Sequence, residues 1–98
     1  MHSPPVQARV NAPFKVRMPV TAGTGFTWRP QTPLAPGLEL IGIFQKRNPH
    51  QVPGGPTEEV LFFRATMKET VHLTLQYVRP WEQDVKPAKV EVFTIRVR

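Results

Sequence analysis

Apolar and polar residues alternate with a period of two along much of this chain. Phe14, Val16, Met18 and Val20 alternate with Lys15, Arg17 and Pro19, the pattern of a strand with one buried and one wet face. Val71, Leu73, Leu75 and Tyr77 alternate in the same way with His72, Thr74 and Gln76, and Phe93, Ile95 and Val97 point inward in a closing strand over 89–98. The continuous run Val60-Leu61-Phe62-Phe63 within 58–66 predicts a strand covered on both faces. Residues 38–46 are apolar on both sides, with Leu38, Leu40 and Phe44 on one face and Ile41 and Ile43 on the other. A helix competes there, but Gly42 and the β-branched isoleucine pair favour a strand. Two short strands, 6–10 and 26–29, complete the set after a floppy start at 1–5. Pro19, on a wet face, predicts that one sheet edge lies open beside it.

Turn signals separate these segments: Asn11-Ala12-Pro13, the glycine-bearing stretch 21–26, the proline-rich 30–37, then 48–57, 67–69 and 79–88. About seven short strands at roughly 8–12-residue spacing predict an all-β fold, an immunoglobulin-like antiparallel β-sandwich. Trp28 is placed to fill its core. With 98 residues, the chain suffices for one hydrophobic core, so residues 1–98 are expected to form a single domain. Alternate connections of such a sandwich gather at one end. The loops after the second, fourth and sixth strands should therefore share a pole.

Composition narrows the chemistry. There is no cysteine, so no disulfide, thiolate nucleophile or thiolate metal site exists. Ser3 is the only serine and lies in the frayed start. His2, His50 and His72 have no metal-ligand spacing. Glu58 and Glu59 are adjacent, so on a strand they point to opposite faces and form no acid–base dyad. Gly54-Gly55 is followed by neither a phosphate-loop lysine nor a helix. The expectation is a protein that is not an enzyme and binds no metal or cofactor. No stretch of 18 apolar residues could span a bilayer, and Met1-His2-Ser3-Pro4-Pro5 lacks the form of a signal peptide. These features leave the compartment open. A net charge of +6 favours solubility and acidic partners. It also raises nucleic-acid binding, but the basic residues are dispersed and Phe14, Phe62 and Phe93 hold core-phase positions, so no nucleic-acid partner is expected.

Three loop motifs then stand out: Thr21-Ala22-Gly23-Thr24-Gly25-Phe26-Thr27-Trp28, Val52-Pro53-Gly54-Gly55-Pro56 and Arg79-Pro80-Trp81. Their order, spacing and same-end placement resemble the chagasin family, protein inhibitors of papain-like cysteine proteases, over residues from about Phe14 to the end. The resemblance implies a reversible, non-covalent inhibitor whose loops at 21–28, 48–57 and 79–82 occlude the protease cleft. Thr24, Gly25 and Phe26 match the family's first loop, with Ala22 and Gly23 completing it here. Val52, Pro53, Gly54 and Gly55 make up the second, whose glycine pair matches the family's. Arg79, Pro80 and Trp81 match the third.

This chain departs from the family in its first loop, where Thr21-Ala22-Gly23 replaces the Asn-Pro-Thr opening. A looser loop loses more entropy on binding, which predicts weaker or altered selectivity. In physical terms, Gly23 and Gly25 permit close backbone approach to a partner, Trp81 held by Pro80 is a low-entropy anchor, and Arg79 is free to donate to acceptors on an enzyme rim. One inhibitor per cleft predicts a monomer. A non-inhibitory immunoglobulin-like interaction or adhesive module is the competing reading.

Overall fold

The computed structural model describes residues 4–21, 23–46 and 56–98. Seven strands run in chain order: β1 (Val6–Ala8), β2 (Pro13–Thr21), β3 (Thr27–Pro30), β4 (Leu38–Lys46), β5 (Pro56–Ala65), β6 (Thr70–Val78) and β7 (Lys89–Val97). They form a four-stranded sheet in the order β1-β7-β6-β3 and a three-stranded sheet in the order β2-β5-β4. The all-β, immunoglobulin-like sandwich expected from the periodicity is the fold. Pairing is antiparallel except between β1 and β7, which run parallel with Val6 beside Ile95 and Ala8 beside Val97. A parallel pair needs a long crossover, and these two strands are separated by nearly the whole chain.

Two inner faces make the core. Val16, Met18 and Val20 of β2, with Leu61, Phe63 and Ala65 of β5, face Val71, Leu73, Leu75 and Tyr77 of β6, with Phe93, Ile95 and Val97 of β7. Leu61, Phe63, Leu75 and Ile95 are wholly excluded from solvent. Each such side chain contributes about 1.5–3 kcal/mol on burial. Trp28 fills the expected core position on β3, packing on Tyr77 with ring centroids 4.9 Å apart. Its indole nitrogen donates to the Pro19 carbonyl at 2.9 Å, joining the two sheets. Pro19 itself lies on β2, an edge strand, as its missing N–H requires.

β4 departs from its expected alternation. The ladder with β5 shifts between Leu40 and Gly42, so Leu40 pairs with Phe63 and Gly42 with Phe62. The extra residue, Ile41, reverses the phase of everything after it. Leu38 and Ile43 therefore belong to the core side, while Phe44 turns out to solvent. Phe62, read as a core-phase residue, lies on the outer face and meets Phe44 edge-to-face at 5.6 Å. Phe93 is buried, and Phe14 packs on Phe63 at 5.8 Å. The first strand also ends earlier than the 6–10 expected, because Asn11 takes a left-handed φ of 63° that closes a turn.

Candidate functional site: a braced loop pole

Strand register places three connections at one end. Thr21, at the end of β2, pairs with Pro56 at the start of β5. Lys46, at the end of β4, pairs with Glu58. In the other sheet Thr27 pairs with Val78, and Tyr77 with Lys89. The β2–β3, β4–β5 and β6–β7 connections therefore leave the same pole. Ala22, Val52, Pro53, Gly54 and Gly55 lie outside the described residues; the stems that carry them do not.

The β2–β3 loop is tied from within. The Thr24 hydroxyl donates to the Thr21 carbonyl at 2.8 Å and accepts from the Phe26 N–H at 3.4 Å. Gly23 and Gly25 both take left-handed φ values, 84° and 81°, which a side chain would strain. At Gly23 an added Cβ would meet none of the described residues within 4 Å. At Gly25 it would overlap Cη2 of Trp81 and lie 3.1 and 3.2 Å from Cζ2 and Cζ3. The close approach that Gly25 permits is thus made first by the molecule's own indole.

The β6–β7 connection is folded onto that loop. The Glu82 N–H donates to the Arg79 carbonyl at 3.0 Å, closing a turn with Pro80 at the position a proline favours. Ala88 N–H then returns to the Tyr77 carbonyl at 2.9 Å. Arg79 turns inward. Its Nε donates to the Thr24 carbonyl at 3.0 Å, its guanidinium lies 4.3 Å over the Phe26 ring, and Glu82 sits 4.0 Å from it. Of the donors expected to face a partner, Nε is already committed to the neighbouring loop. Trp81 leans on Gly25 yet remains 68% exposed. Beneath them Phe26 stacks on Tyr77 at 5.0 Å, and the Tyr77 hydroxyl accepts from the Thr21 N–H at 3.2 Å.

One layer lower lies Glu59, expected from the sequence to form no acid–base dyad with Glu58 and given no further role there. Glu59 is 1% exposed. It accepts from the Trp28 N–H at 2.6 Å, from the Thr27 hydroxyl, and from Gln45 Nε2 at 3.5 Å. Arg29 donates to the Thr27 hydroxyl oxygen at 2.7 Å and to the Trp28 carbonyl at 3.0 Å, supplying a cation one bond removed. The signal was present in the sequence: Glu59 shares the phase of Leu61, Phe63 and Ala65, so a carboxylate stands at a core position. Among the described residues no acidic or histidine cluster could hold a metal ion. No helix among them is long and apolar enough to cross a membrane.

Comparison with known proteins gives the family and the fold. Residues 7–97 match the family model described as chagasin family peptidase inhibitor I42. The fold is similar to the crystal structure of the cysteine protease inhibitor EhICP2 from Entamoeba histolytica, with a TM-score of 0.73 and 23% identity, covering 95% of this chain and 85% of that one. No match is found among curated protein sequences.

Proposed function

The chain belongs to the chagasin family of peptidase inhibitors, and from that premise we propose that it inhibits papain-like cysteine proteases reversibly, seating its loop pole in the active-site cleft. As a member of an inhibitor family it is not an enzyme. The observation that carries the loop mechanism is the brace between the first and third loops: Trp81 on Gly25, and Arg79 on the Thr24 carbonyl and the Phe26 ring. Loops fixed to each other before binding lose little entropy on docking, which offsets the missing Asn-Pro stiffening of the first loop. An exposed tryptophan held in place is the side chain most often found at the energetic centre of an interface.

The same geometry supports a loop that escapes cleavage. A substrate segment lies extended, with negative φ throughout. Here Gly23 and Gly25 take φ values of 84° and 81°, which depart from that extended form and disfavour aligning a carbonyl between them with a thiolate. At Gly23, where an added Cβ would meet none of the described residues within 4 Å, an enzyme's catalytic groups are expected to approach the main chain most closely. The interface expected of such a pair is about 800 Å² per partner. The net charge of +6 speeds encounter with an acidic protease. One pole per domain makes a monomer sufficient.

The test is residual activity of papain and a cathepsin L-type enzyme on a fluorogenic dipeptide substrate against rising inhibitor. Competitive inhibition, with the inhibitor recovered uncut, is expected. A folded protein without effect at micromolar concentrations would sink the proposal in favour of a non-inhibitory interaction module.

A further inference from the structure

We infer that Glu59 is a positioning residue for inhibition: one buried carboxylate sets the first loop against the stems of the second. This rests on the inhibitory reading above. Three observations carry it. The first is location. Glu59 lies in a row with Met18 of β2 and Gln45 of β4, on the inner face of the three-stranded sheet. Across the sandwich it binds Thr27 and Trp28, the first two residues after the glycine loop. Gln45 and Glu59 themselves belong to the two stems of the β4–β5 connection. A single side chain thus touches the exit of one loop and both supports of another.

The second observation is the backbone group that it satisfies. Among the described strands β3 is the edge of its sheet, paired only with β6. Because the Trp28 N–H goes to Glu59, Trp28 and Tyr77 form a pair without ladder bonds between them, the closer of the two antiparallel spacings. That spacing suits the 4.9 Å Trp28–Tyr77 stack. A free edge would leave this N–H without a partner inside the protein. Glu59 supplies one and fixes how near β3 sits to the opposing sheet.

The third is cost. Burying a carboxylate is unfavourable unless it is well paired, and no lysine or arginine donates to Glu59 directly among the described residues. Its partners are two hydroxyl- or backbone-type donors and an amide, with Arg29 one bond away. An apolar residue in phase with Leu61 and Phe63 would pack the core without that cost. What it would lack is directional hold on the loop bases, and that is the property the geometry assigns to Glu59.

The experiment uses Glu59→Gln in the full chain. The amide keeps shape and one oxygen for the Trp28 N–H, but it places an NH2 donor where the second carboxylate oxygen accepts from the Thr27 hydroxyl and Gln45 Nε2. Three readouts are compared with wild type: cooperative thermal unfolding, Ki for papain, and amide exchange at Gly23, Gly25, Phe26 and Trp28. The expected result is a single unfolding transition, Ki raised at least tenfold, and exchange accelerated at those four amides while β6 and β7 keep their protection. Ki within twofold of wild type with unchanged exchange would overturn the inference. So would uniform loss of protection across both sheets, which marks a purely structural role. Should wild type fail to inhibit, the inhibitory reading falls, while exchange at the same amides still decides whether Glu59 positions the loop. If Glu59→Gln does not fold, Gln45→Leu, which removes only the exposed partner, is measured instead. A threefold or greater rise in Ki is then expected, and no change overturns the inference.

Discussion

Trp81 and Phe44 are both large aromatics left mostly to solvent, at 68% and 60% exposure, yet their surroundings differ. Trp81 sits on a ten-residue connection and is held by a residue 56 positions earlier in the chain, where Gly25 has no side chain to push it away. Arg79, two residues before it, is bound to the same distant loop by a hydrogen bond and a ring contact. Phe44 sits on an edge strand after a bulge, and its ring contact is Phe62 of the adjacent strand. Long-range contacts fix the first; ordinary ladder geometry carries the second. Exposure of an apolar ring therefore does not mark a site. Exposure combined with non-local restraint is what the proposed site adds, because a solvent-facing group already held in place has less freedom to lose on docking.

That contrast can be attacked from either side. The largest effect belongs to Gly25→Val. A β-branched residue at φ 81° is strained, and its side chain displaces the indole. Loss of inhibition by about a hundredfold or more is expected, equivalent to about 2.8 kcal/mol at roughly 1.4 kcal/mol per factor of ten, above the ~2 kcal/mol that marks a binding hot spot. Acrylamide quenching of Trp81 should rise with it, and an unchanged quenching curve would show that Gly25 does not seat the indole. Trp81→Ala comes next. It leaves the glycine loop's internal bonds in place and costs about 2 kcal/mol of binding, roughly thirtyfold in Ki. The melting temperature should move little, since the ring is mostly exposed. A large fall in stability without loss of inhibition would assign Trp81 to the fold instead.

How far the sequence foretold this depends on the range of the interactions involved. Strand identities followed from period-two alternation, which is local, and β4 and β6 keep the expected bounds of 38–46 and 70–78. The shared pole followed from counting strands. Phase failed where a single inserted residue mattered: no local signal says that Ile41, rather than a neighbour, is the extra one in the ladder, so Phe44 was assigned to the face of Leu38. The braces were illegible for another reason. That Arg79 turns to Thr24, or that Trp81 rests on Gly25, depends on contacts 55 and 56 residues apart, and no pattern along the chain encodes them. The expectation of a loose first loop, read from its missing Asn-Pro, overlooked support arriving from the third. Glu59 lay between these cases. Its core phase was legible, but its partners were not.

The smallest expected effect is the control on the other side of the comparison. Phe44→Ser removes an exposed aromatic of almost the same exposure as Trp81 but outside the loop brace. The ring meets Phe62 edge-to-face, a pairing worth about 0.5–1.5 kcal/mol, so stability should fall by no more than that. Ki should stay within twofold of wild type, because β4 presents Phe44 on the flank of the three-stranded sheet, opposite Val60, and not at the pole. Solubility should hold or improve, since an apolar patch on an edge strand is a site for unwanted strand pairing. Inhibition weakened as much as by Trp81→Ala, with the fold intact, would extend the protease contact down the face of β4. Non-local restraint would then no longer separate the binding aromatic from the idle one.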